Sequence, residues 1–139
     1  MKVQQKNRKS YPYITVWTEE DQDDILISSY QPGLHVDINI ARDLINSRLD
    51  YCQGKPMYVL IDFTNVKSVT KEAREYMNHP EGGLKGVLGG AFLSGNVVAT
   101  LFVNLYLKLS APVIPAKFFT KRADAITWLK ELKEKEKKH

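Results

Sequence analysis

The sequence predicts one α/β domain: a mixed five-stranded sheet with helices packed against it, in the order ββαβαβαβα. Three observations carry this. The apolar run Met57–Ile61 is uninterrupted, as a central strand covered on both faces requires. Apolar residues recur at helical spacing at Ala41, Leu44, Ile45, Leu49 and Cys52, and again at Ala125, Trp128, Leu129 and Leu132. Strand-like segments alternate with helix-length ones, and such strands need crossover connections, which are right-handed and lay helices on a parallel-rich sheet. With 139 residues, 43% hydrophobic and 26% charged, the chain can bury one core; the composition excludes disorder and collagen.

Residues 1–10 read as a basic, mobile arm and 11–139 as a single domain. Ile14, Val16 and their aromatic neighbours favour a strand over Tyr13–Thr18. After the acidic turn 19–24 the run Ile25–Ile27 resumes the pattern, which predicts a β-hairpin. Pro32-Gly33 breaks the chain, Asp37 caps the first helix and Gly54 closes it. Lys55-Pro56 opens the third strand. Thr70 caps a short helix with Ala73, Tyr76 and Met77 inward, and Pro80 with the glycine pair Gly82-Gly83 makes a loop before a fourth strand near Lys85–Leu93. An apolar helix follows over Val97–Leu109, with Asn96, Thr100, Asn104 and Lys108 as one polar stripe. Pro112 and Pro115 bracket the entry to a fifth strand, Ala116–Phe119, and Thr120 caps the last helix.

The formal charge of +4 resides in Lys2, Lys6, Arg8 and Lys9, so residues 11–139 are neutral overall. A neutral body with a short basic arm is not the clustered footprint of a nucleic-acid binder, and no nucleic-acid partner is expected. The single cysteine, Cys52, makes no internal disulfide, and the polar first ten residues lack the apolar core of a signal peptide, so a reducing cytoplasm is the expectation. The uncharged run Gly86–Leu107 is long enough to span a bilayer, but Ser94-Gly95-Asn96 at its middle divides it into a buried strand and a buried helix.

Candidate chemistry is sparse. The acidic cluster Glu19–Asp24 fails the calcium-loop template, since counting from Asp21 the sixth and twelfth positions hold Leu26 and Pro32 instead of glycine and glutamate. His35, His79 and His139 share no metal-ligand spacing with one another or with Cys52, and no nucleophile beside them is evident. The glycines of segment 81–90 match neither a P-loop nor a dinucleotide fingerprint. No catalytic residue, cofactor or metal is expected. The Val97–Leu109 helix, with Phe102, Val103, Leu105, Tyr106 and Leu107, is apolar over more of its circumference than one sheet face buries. A homodimer packed through it is the first expectation for what covers it.

Segments 59–77, 104–109 and 115–132, in this order, resemble the SpoIIAA-like domains of the STAS and CRAL-TRIO superfamily, most closely the small stand-alone bacterial members. The resemblance spans nearly the whole chain. It rests on Asp62-Phe63-Thr64 ending a strand, the asparagine-led apolar segment Asn104–Leu109, and Phe119-Thr120 followed by Trp128-Leu129. It implies a non-enzymatic regulatory or protein-interaction module. In the STAS antagonists of anti-sigma factors the phosphorylated serine opens the helix after this strand; laid on Asp62-Phe63-Thr64, that stretch falls on Thr70, Lys71 and Glu72. Lys71 replaces the phosphoacceptor, leaving Ser68 and Thr70 as nearby hydroxyls, with Thr70 read more simply as a cap. CRAL-TRIO relatives bind apolar molecules beneath a mobile helix. This implies, as the alternative, a carrier of a small apolar or lipid-like ligand, its pocket near Phe63, Phe92 and Phe102, with Leu105 and Tyr106 on the same helix. Contact with a membrane surface is the third way to cover that helix.

Overall fold

In a computed structural model, which describes residues 7–95 and 114–137, the hairpin comes first. Strand β2 (Ile14–Glu19) pairs antiparallel with β3 (Gln22–Tyr30), and the two-residue β1 (Lys9–Ser10) adds antiparallel to β2. The end of the basic segment is thus paired. Only Glu20 and Asp21 lie between β2 and β3, with Asp21 in the left-handed region at φ 60°, so the acidic segment is divided between the end of β2, the turn and the start of β3. Helix α1 (Ile38–Cys52) starts as its sequence predicts: Asp37 accepts a hydrogen bond from the Ile40 amide at 2.9 Å. It ends one residue before the predicted glycine, with Gln53 taking the left-handed cap position at φ 51°.

Strands β5 (Met57–Asp62), β7 (Val87–Leu93) and β8 (Ala116–Phe119) continue the sheet beyond β3, each parallel to its neighbour, giving the order β1-β2-β3-β5-β7-β8. The described sheet therefore has six strands rather than five. A second, parallel pair joins β4 (His35–Val36) to β6 (Ser68–Val69). None of the three additional strands was foreseen, because a two-residue strand is too short to show alternation. The predicted mixed α/β sandwich stands. The predicted helix over Val97–Leu109 lies outside the described residues.

Helices α1 and α2 (Lys71–Met77) cover one face of the sheet and α3 (Arg122–Lys137) the other. Alternation along the strands sorts the core. Leu26, Val59 and Val87 meet Ala41, Leu44 and Ala73, whereas Ile25, Ile27, Leu60 and Leu93 meet Ala125 and Leu129. Val59 and Leu60, adjacent in β5, are both fully buried on opposite faces, which is why their run carries no polar residue. Each such side chain contributes about 2 kcal/mol by leaving water. Opposite Met57-Tyr58 the register shifts, leaving Leu88 as an exposed extra residue in β7. Beside it α3 sits so close that a Cβ on Gly89 would lie 2.5 Å from Leu132 Cδ2. Helix α3 begins at Arg122 with the Lys121 carbonyl accepting from the Ala125 amide, so Thr120 precedes the cap position that its sequence had suggested.

Candidate functional site

The site is built where the short helix α2 meets the far end of the parallel strands. Thr70 fixes the start of α2, its hydroxyl accepting from the Ala73 amide at 3.1 Å, while its own amide donates to Val36 in β4. The β4–β6 pair thus aims the helix. Its C-terminal end is held by the loop that follows: the Gly83 amide donates to the Tyr76 carbonyl at 3.0 Å, and a Cβ on Gly83 would meet Met77 O at 1.9 Å. Only glycine admits this approach.

Arg48 secures the same loop from the other side. Its guanidinium donates to the carbonyls of Gly83 at 3.1 Å and Lys85 at 3.0 Å. Arg48 is only 3% exposed, and among the described residues it has no carboxylate partner; burial pulls its pKa down. It occupies the inward register of α1 with Ala41, Leu44 and Ile45, a position that the sequence pattern had given to Leu49.

Between these parts lies a cavity of about 640 Å³, within the range of small-molecule sites. Its wall is apolar. Phe92 stacks on Phe118 with ring centroids 4.8 Å apart, and Phe63 meets Phe118 edge-on at 5.8 Å. Val36 and Met77 continue the wall, and the exposed Lys71, Arg74 and Glu75 of α2 stand at its mouth. Tyr30, at the end of β3, lines it from within. Burial pushes the Tyr30 phenol up to about 12, with the Arg48 charge opposing, so it is protonated and a donor at neutral pH.

Of the residues singled out from sequence, Phe63 and Phe92 both line this cavity, and Lys71 stands at its mouth. Phe102, Leu105 and Tyr106 lie outside the described residues. Ser68 is exposed, and its Oγ is 2.9 Å from His35 Nδ1. This hydroxyl–imidazole contact was not evident in the sequence, where 33 positions separate the two. It sits on an open surface, and no described carboxylate holds the other ring nitrogen, as an activated nucleophile requires. Thr70 is engaged as the cap. Burial pushes the Cys52 thiol up, away from the thiolate that nucleophilic chemistry needs. Among the described residues no cluster of His, Cys, Asp or Glu is placed to hold a metal ion, and no helix is long and apolar enough to cross a membrane. Tyr30, Arg48 and Phe118 were missed by the sequence reading; the inward register of Arg48 was a signal that could have been followed.

The architecture is that of a SpoIIAA-like domain. An uncharacterised protein of the DUF3478 family from Shewanella loihica PV-4, described as having a SpoIIAA-like fold, superposes with a TM-score of 0.61 at 18% identity, covering 87% of this chain and 98% of that one. The chain belongs to a family of domains of unknown function, DUF7793, whose model matches residues 17–133. A protein of unknown function from Arthrobacter sp. FB24 is similar at 24% identity and a TM-score of 0.32, over 82% of this chain and 90% of that one. No curated protein matches the sequence.

Proposed function

We propose that this chain is a non-enzymatic binding module of STAS-like type that takes a small apolar ligand into the cavity beside α2. The observation that carries the reading is the cavity itself: about 640 Å³, walled by Phe63, Phe92 and Phe118 and bounded by a loop that Arg48 and Gly83 hold in place. Water in an apolar pocket of this size meets few polar partners on its wall, so an apolar ligand that displaces it gains free energy. Regulation follows if occupancy alters the exposed face of α2, the helix that STAS relatives use for their switch and that here carries Lys71 in place of the phosphoacceptor.

Native mass spectrometry on the freshly purified full chain tests the reading. Added mass that disappears on denaturation, or uptake of the apolar dye N-phenyl-1-naphthylamine with blue-shifted fluorescence, is the expected result. Protein that carries no added mass and takes up no dye overturns it. The same spectrum reads the homodimer that the sequence suggests.

A further inference from the structure

Resting on that reading, we infer that the ligand carries an acceptor oxygen, a carboxylate or carbonyl on an apolar body, and that the Tyr30 hydroxyl inside the cavity receives it. Tyr30 is more than nine-tenths buried, at 8% exposed, and it lines the cavity. Its hydroxyl makes no hydrogen bond to any described residue. Buried tyrosines ordinarily place this group on a partner, because a desolvated hydroxyl without one is unfavourable. Tyr30 shares the cavity lining with Val36, Ile61 and Phe63.

The electrostatic setting selects the sign. Arg48 stands close enough to influence the Tyr30 phenol and is itself a buried cation whose hydrogen bonds among the described residues go to two backbone carbonyls. A positive field without a neutralising carboxylate favours an anionic or strongly dipolar oxygen at Tyr30 over a donor group. Ser28, two residues earlier on the same face of β3, offers a contrast. Its Oγ is also unpartnered but wholly buried, and it does not line the cavity, so it cannot serve a ligand. Lys71 and Arg74 at the mouth are exposed and accompanied by Glu75, and give no comparable selection.

The test compares two probes on the full chain, decanoic acid, which has the oxygen head, and N-phenyl-1-naphthylamine, which has no oxygen. Tyr30→Phe removes the hydroxyl and nothing else. The expected result is that it weakens decanoate binding by about tenfold, the worth of one hydrogen bond to a charged acceptor, and dye binding by much less, while thermal unfolding shows that the variant is folded. Equal affinity of wild type and Tyr30→Phe for decanoate, with the dye still bound by both, overturns this inference and leaves the proposed function standing. Failure of wild type to bind either probe overturns both.

Discussion

The burial of Tyr30 can be read directly in the alkaline stability of the protein. In the unfolded chain its phenol titrates near its ordinary value of 10; in the folded domain burial moves it to about 12. The neutral form is the one that folding favours, so this contribution is intact below pH 10. It declines as pH rises from 10 towards 12, where the unfolded chain sheds a proton that the folded chain keeps. At pH 11 the loss is about 1.4 kcal/mol, one unit of a two-unit separation. Tyr30→Phe has nothing to ionise. Urea unfolding of wild type and variant at pH 8 and pH 11 therefore isolates the group, because every other titration is common to both proteins. At pH 8 the two should be of similar stability, since the removed hydroxyl has no hydrogen bond to lose. At pH 11 the balance should move by about 1.4 kcal/mol in favour of phenylalanine. A difference between the proteins that is the same at both pH values refutes the reasoning, for it would mean that Tyr30 is solvated in the folded state.

Three further outcomes follow from the geometry around the cavity and across the sheet. Thr70→Ala should destabilise by about 1 kcal/mol in thermal or urea unfolding, whereas Thr70→Asp, which still caps, should not; equal losses would contradict the capping role. Gly83→Ala should lose about 3 kcal/mol and with it the dye-binding cavity, because its Cβ would collide with the Met77 backbone carbonyl. Lys133→Met should lose about 2 kcal/mol, since the ammonium donates to Asp24 at 2.5 Å and Gln22 at 2.7 Å; a double-mutant cycle with Asp24→Asn should assign most of it to that pair.

The parts of the fold legible in sequence are those where one physical requirement dominates. Met57–Ile61 must be apolar on both faces, and the cap residues Asp37 and Thr70 sit before helical periodicity, so strands and helices fall where expected. What escaped is whatever depends on residues distant in sequence. Arg48 and Lys133 lie on inward helix faces, where a charged residue breaks the apolar pattern; their partners, Gly83 and Lys85 in one case and Asp24 in the other, become visible only when the chain folds. Tyr30 is similar: an aromatic at a strand end carries no mark of whether its hydroxyl will find a partner. Phe63, just after β5, and Phe92 in β7 were legible as apolar pocket residues, and Phe118, which brings them together, was not.

Among the described residues, the two faces of the sheet are unequally covered. On one side α3 lies closely against β5, β7 and β8, as the missing Cβ at Gly89 demonstrates. On the other, the shorter α2 is drawn back towards α1 and the β4–β6 pair, whose contact with it runs through Thr70 and Val36. Phe92 and Phe118, large side chains on that second face, then stack on each other and front the cavity. A ligand in the cavity would lie against α2, whose start is fixed by the Thr70 cap and whose end is fixed by the Gly83 contact with Tyr76.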